Sequence, residues 1–184
     1  FPKLSFQLTI QGGTEMDYRI EKKAAFKIVG ASKRVPIQFE GVNQEIVKLA
    51  ESITPEQREQ MRSYANIEPY QVVNASYDFD DGWLEEKGTL QHMIGFLTTK
   101  EDEFSGFDVV EVPALTWVIL TAQGEFPKVM QETMAKFAAE WLPSSDFELV
   151  DAPNISFTGD MSDLSNVHSE IWYAVKKKAT NHDQ

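Results

Sequence analysis

Two copies of one strand-helix-strand-strand unit, together an α+β architecture, are the expectation for this chain, and three observations carry it. Apolar residues alternate with polar ones in several short runs, the mark of half-buried strands. In two places they recur instead at intervals of three and four, the mark of a helix with one buried stripe. The runs also come in the same order twice, up to about residue 100 and again from residue 107, with the polar stretch Thr98 to Gly106 between them. A unit with a single helix would leave part of its sheet face uncovered, so a paired arrangement is the economical one.

Leu4, Phe6, Leu8 and Ile10 alternate with Ser5, Gln7 and Thr9 as far as Gly12-Gly13, which reads as a strand in an N-terminal extension, residues 1–15. Tyr18 to Val29 is a second extended run, closed by Gly30. The link holding Val35, Pro36, Ile37 and Phe39 lacks a period. Val42, Ile46, Leu49, Ala50 and Ile53 then keep helical spacing, and Thr54-Pro55-Glu56-Gln57 starts a second helix with a capping box and a proline at the first helical position. That helix should reach about Tyr64 and, being mostly polar, lie on the surface. Val73, Ala75, Tyr77 and Phe79 alternate as a strand ended by Asp80-Asp81-Gly82, and Leu90 to Leu97 forms another.

The second unit opens with the β-like run Phe107 to Leu120. A helix follows from Pro127, with Met130, Met134, Phe137, Ala138 and Trp141 on its core stripe, and Pro143 is expected to stop it. Phe147 to Val150 and Ile155 to Phe157 read as broken strand, Gly159 to Val167 as a polar loop, Ser169 to Val175 as the last strand, and residues 179–184 as a disordered tail. Tyr18 to Val29 and Phe107 to Val118 carry apolar residues at many of the same offsets, and on the same scheme Met93 occupies the place of Glu170, and Gly95 that of Trp172.

Composition narrows the functions. With 184 residues, 42% hydrophobic and 25% charged, the chain can bury a sizeable core as one domain or two small fused units. No apolar run approaches the roughly 20 residues of a membrane-spanning helix. The absence of cysteine removes disulfides and thiolate metal sites and fits a reducing, cytoplasmic setting. A net charge of −12 argues against a nucleic-acid groove in these residues, because phosphate binding needs clustered Lys and Arg. The same field nudges cations toward any cleft.

In the last strand a period of two places Glu170, Trp172 and Ala174 on one face and Ile171, Tyr173 and Val175 on the other. A carboxylate beside an indole suits a cavity that stacks and neutralises an apolar or cationic guest. The plainer alternative is a strand with one wet face, Glu170 solvated and Trp172 half covered.

Tyr18-Arg19-Ile20, the Ala25 to Gly30 run, Pro113-Ala114 with Thr116-Trp117, Trp141 to Ser145, and Ser169-Glu170-Ile171-Trp172 together resemble the gyrase-inhibitor-like effector-binding domains, over roughly residues 16–178. Such domains occur at the C-terminal side of AraC-type transcriptional regulators and as stand-alone proteins. The resemblance implies a tandem strand-helix-strand-strand (SHS2) repeat with pseudo-two-fold symmetry, antiparallel sheets and helices packed on one side, the halves spanning about 16–100 and 107–178. It implies a pocket between the halves for hydrophobic, often cationic small molecules, with Glu170 facing it. The remaining lining is assigned to Trp172 and Trp117, with Phe39, Tyr77 and Met93. An unpaired Glu170 in an apolar cavity would favour a cationic guest. Phe1 to Glu15 resembles the link that follows a helix-turn-helix pair, and DNA would be met only through such a separate domain.

Enzyme signatures are thin. His92, His168 and His182 form no paired metal motif, no phosphate loop or nucleophile elbow is present, and neither cofactor nor metal is expected. Asp78 to Gly82 imitates a calcium loop but lacks its glutamate, Thr89 standing at position twelve, and it reads as a turn. Two alternatives to ligand sensing stay open: a hydrolase of strained electrophiles using Glu170 as base, helped by Tyr77, and a protein-binding module.

Overall fold

The computed structural model describes residues 4–10 and 14–179; the expectation of a disordered tail, His182 included, falls almost wholly outside them. In chain order the elements are β1 (Leu4–Ile10), β2 (Thr14–Lys23), β3 (Phe26–Pro36), α1 (Gln44–Ser52), α2 (Pro55–Tyr64), β4 (Val73–Tyr77), β5 (Thr89–Thr98), β6 (Asp108–Val112), β7 (Leu115–Gly124), α3 (Lys128–Lys136), β8 (Phe147–Leu149), β9 (Asn154–Thr158) and β10 (Val167–Lys177). The strands form one antiparallel sheet in the order β1-β2-β7-β10-β9-β4-β5-β3-β6, with β8 added to the end of β10.

This order is a palindrome about the β9–β4 seam. β6-β3-β5-β4 on one side mirrors β2-β7-β10-β9 on the other, so each half is a strand, helix, strand, strand unit plus one leading strand. The register is equally regular. Gly30 faces Gly95 where Ile119 faces Trp172, and Ser32 faces Met93 where Thr121 faces Glu170. The correspondence read from the sequence, Met93 with Glu170 and Gly95 with Trp172, is thus the one that the ladders make. At the seam Asn74 pairs with Ser156, and the pseudo-two-fold axis passes through that pair.

The leading strands are exchanged. β2 precedes β3 in the chain but pairs with β7 of the other half, and β6 precedes β7 but pairs with β3. Each extended run expected as one strand is therefore two, broken at Ala24-Ala25 and at Pro113-Ala114, where the chain crosses between halves. Gly30, expected to close its run, lies inside β3. A Cβ at Gly30 would stand 2.1 Å from the Ile94 carbonyl oxygen, and one at Gly95 2.2 Å from that of Val29, so these glycines let the two backbones meet.

All helices pack on one face of the sheet. Leu49, Ile53 and Met61 from α1 and α2 bury against Ile94 and Phe96 of β5. Met61 is fully buried and anchors α2, helped by Tyr64 edge-on to Phe104, although the rest of the helix is mostly polar. Its capping box is complete: the Thr54 side chain accepts from the Gln57 amide, and the Gln57 side chain accepts from the Thr54 amide. Thr54→Ala should therefore cost about 1 kcal/mol, read as a lower urea midpoint; an unchanged midpoint would show that the cap contributes nothing.

Phe137 and Trp141 from the third helix bury against Val118, Leu120, Ile171, Tyr173 and Val175. That helix does not end before Pro143. It passes from α3 through a π turn, Phe137–Trp141, into a last turn, Leu142–Ser144, capped by Ser145. The π turn keeps Phe137 and Trp141 stacked, ring centroids 5.3 Å apart, and turns Ala138 out to solvent, away from the stripe where it was expected. The Phe137 ring stacks in turn on Tyr173, 4.3 Å away.

The opposite face of the sheet carries the largest apolar cluster, drawn from both halves: Phe26, Ile28, Met93 and Leu97 with Trp117, Ile119, Ile155 and Trp172 among others. Phe26 on β3 and Trp117 on β7 lie five strands apart in the sheet order, yet their ring centroids are 6.0 Å apart. Flat strands so separated would lie roughly 24 Å from one another. The sheet is therefore curled, and its helix-free face is the concave one. Among the described residues no helix is long and apolar enough to cross a membrane.

Candidate ligand-binding site

Two register rows cross the seam on the concave face. One runs Trp172, Ile155, Ala75, Met93; in the other Glu170 pairs with Phe157 on one side of the seam and Gly95 with Val73 on the other. The alternation of β10 does what its sequence asks: Ile171, Tyr173 and Val175 go under the third helix, while Trp172 and Ala174 enter the concave cluster. Both faces are covered, which removes the alternative of a wet strand. The halves differ at the centre, because Glu170 and Trp172 stand where the first half has Met93 and Gly95.

Around Trp172 the rings of Trp117 and Phe157 meet it edge-on, with centroids at 6.0 and 5.8 Å, and Phe26 leans on Trp117. Edge-to-face pairs of this kind contribute about 0.5–1.5 kcal/mol each beyond their burial. Trp117 is fully buried and Trp172 only 2% exposed. The Trp117 indole N–H is buried without a hydrogen-bond partner among the described residues.

Glu170 is not unpaired. Its Oε1 accepts from the Trp172 indole at 2.8 Å and from Nη2 of Arg19 at 3.3 Å. Arg19 also bonds Glu21 on its own strand, and the Lys23 ammonium lies 4.3 Å from the centroid of the Trp172 ring and 3.6 Å from Glu21. Arg19, Glu21 and Lys23 are alternate residues of β2, on the side opposite Tyr18 and Ile20, which pack under the third helix. This charged row covers the aromatic cluster, and with Glu170 it balances two cations against two carboxylates. Sequence reasoning missed Arg19 and Lys23. Their alternation was visible, but the neighbour of β2 was not.

Of the expected lining residues, Glu170, Trp172 and Met93 fall on these rows, Trp117 stands beside them opposite Ala174 with its ring edge-on to Trp172, and Tyr77 packs against the same cluster from the far end of β4. Phe39 is not brought to them. It is 44% exposed in the link before α1, where its amide is held by the Glu86 carboxylate. Tyr77 lies four residues along β4 from Val73, which shares the row of Glu170, or roughly 13 Å along the strand direction. Burial above all, with Asp108 and Asp78 nearby, pushes the Tyr77 phenol up from its ordinary value, while a hydrogen bond with Ser32 opposes this. Tyr77 thus stands at the first half's side of the cluster.

The Asp78 to Gly82 segment is structural. The Asp80 carboxylate accepts from the Thr89 amide and hydroxyl and from Arg34, and a short 3-10 turn, Asp81–Glu85, follows. On the helix side, a cleft of about 350 Å³ opens beside the last turn of the third helix, lined by Tyr18, Trp141 and Phe147 among others; it contains none of the expected binding residues.

The model of the GyrI-like small molecule binding domain matches residues 16–176. The chain belongs to this family. No curated protein matches the chain. Among solved structures, this GyrI-like chain is similar to SAV2435 bound to tetraphenylphosphonium, at 19% identity and a TM-score of 0.67, covering 88% of this chain and 94% of the other. It is similar to a putative transcription regulation protein of Staphylococcus aureus MU50 at 18% identity and a TM-score of 0.63, covering 88% and 99%. The C-terminal domain of EcmrR aligns at 14% identity and a TM-score of 0.62, over 89% of this chain and 99% of the other. At these identities the solved structures show the GyrI-like fold alone.

Proposed function

We propose that this GyrI-like domain, residues 16–178, senses hydrophobic, cationic small molecules on its concave face, as the effector-binding part of an AraC-type transcriptional regulator or as its stand-alone derivative, working in the cytoplasm. The observation that carries the reading is the Glu170 carboxylate bonded to the indole of Trp172, whose ring Trp117 and Phe157 meet edge-on. Aromatic edges and faces supply a stacking surface for an apolar guest, and a carboxylate at their border supplies its counter-charge. The tetraphenylphosphonium bound to SAV2435 is an apolar cation of that class, and EcmrR has been seen in complex with DNA, which supports the regulatory setting. The net charge of −12 favours the approach of cations.

The test is a tryptophan fluorescence titration with tetraphenylphosphonium and with neutral triphenylphosphine oxide, on the wild type and on Glu170→Gln. The variant is expected to weaken the cation by about tenfold or more while leaving the neutral compound nearly unchanged. Equal weakening of both would overturn charge recognition, and no binding of either by the wild type would overturn the pocket itself.

A further inference from the structure

The concave face already holds a cation. The Lys23 ammonium sits 4.3 Å from the Trp172 ring centroid, with its side chain 19% exposed, and Glu21 lies beside it at 3.6 Å. The Arg19 guanidinium meanwhile reaches Glu170, the carboxylate assigned above to the guest. Trp172 and Trp117 have almost no surface of their own in water, so an aromatic guest can reach them only if what covers them moves. Over Trp172 that cover includes the partly exposed charged side chains of β2, a strand that crosses over from the first half of the chain, beside the partly buried ring of Phe157.

We propose that Lys23 is a specificity-determining residue that competes from within the protein for the cation place on Trp172, so that a cationic ligand binds by displacing it. The proposal rests on the reading of this face as a binding site for aromatic cations. Two consequences follow from the charges. With Lys23 in place the four ionic groups Arg19, Glu21, Lys23 and Glu170 sum to zero, and an entering cation adds an uncompensated charge unless the ammonium swings out. The exchange of one cation for another on the same ring also leaves only the guest's larger apolar contact as net gain, which sets a threshold that weak or small cations do not pass. Lys23 is the last residue of β2, next to the Ala24-Ala25 break, so its side chain can leave toward solvent without disturbing the ladder to β7.

The experiment compares the full chain with Lys23→Met, which keeps the length and apolar body of the side chain and removes its charge. The control is Lys22→Met, which removes the same charge from the opposite face of β2. Tetraphenylphosphonium affinity should rise about 3- to 30-fold in Lys23→Met, the range corresponding to a cation–π contact of roughly 0.65–2 kcal/mol. It should change less than twofold in Lys22→Met. In the ligand-free protein, Lys23→Met should also shift the tryptophan emission, because the charge over one indole is gone. Binding that is unchanged or weaker in Lys23→Met, or an equal gain in both variants, overturns the proposal while leaving the site reading intact. Failure of every variant, the wild type included, to bind the cation overturns the site reading instead.

Discussion

Gly95→Ala should leave the chain largely unfolded under conditions in which the wild type is stable. The new Cβ would stand 2.2 Å from the carbonyl oxygen of Val29 and 2.7 Å from its carbon, both backbone atoms of the paired strand. No rotamer change relieves a clash with backbone, so β3 and β5 would have to part at the middle of the longest ladder in the first half. Overpacking a tight core costs about 1–3 kcal/mol when side chains can yield. Here they cannot, and at least about 3 kcal/mol is expected, a large share of the 5–15 kcal/mol that holds a typical domain together. Gly159→Ala provides the contrast, since its Cβ would meet nothing closer than 3.9 Å and its backbone is not in the left-handed region. Urea unfolding of the two variants beside the wild type checks this. Similar midpoints for both alanines would refute the close approach of Gly30 and Gly95.

Acidification is expected to destabilise the protein through His92. The imidazole is 5% exposed beneath the helices, and burial lowers its pKa from 6.5 to about 4. Its two ring nitrogens are engaged, Nε2 with Oδ1 of Asn74 at 2.9 Å and Nδ1 with the Ser76 hydroxyl at 3.2 Å. The tautomer that serves both partners carries its proton on Nε2 and accepts from Ser76, so a second proton would break the Ser76 bond as well as bury a charge. Between these two pKa values the unfolded chain binds a proton that the folded chain refuses. Stability therefore falls as pH drops through that window, by about 2 kcal/mol at pH 5 and about 3 kcal/mol at pH 4. Most carboxylates titrate lower, so the loss between pH 6.5 and 5 reports mainly the histidine. Urea midpoints across this range for the wild type and for His92→Gln measure it. A wild-type slope that the substitution leaves unchanged would show that His92 is not the group responsible.

The repeat was legible because periodicity repeats with it. Tyr18 to Val29 laid on Phe107 to Val118 places Ala24-Ala25 on Pro113-Ala114, and those are the two crossovers of the structure. What periodicity gives is the face of each strand, and so Glu170 and Trp172 could be put on one side of β10 from their spacing alone. It does not give the neighbour. Arg19 and Glu170 are separated by 151 residues, and nothing local in Tyr18-Arg19-Ile20 says that its strand will pair with the opposite half. For that reason the carboxylate was expected to stand alone. Phe39 was misplaced for a related cause, since a single aromatic residue in a link without a period carries no orientation. Pro143 does not stop its helix. A proline late in a helix removes one amide, and the preceding π turn leaves room for its ring, so the helix finishes its last turn.

The exchange of β2 and β6 between halves makes the molecule a clasp. Cutting the chain in the loop between β5 and β6 would strip β7 of one neighbour and β3 of the other, and each fragment would carry a leading strand parted from its partner in the other half. Neither fragment could complete its own sheet. Each would regain a full four-strand half only against its complement or against a second copy of itself, so the two repeats, though alike in plan, should melt together in one transition.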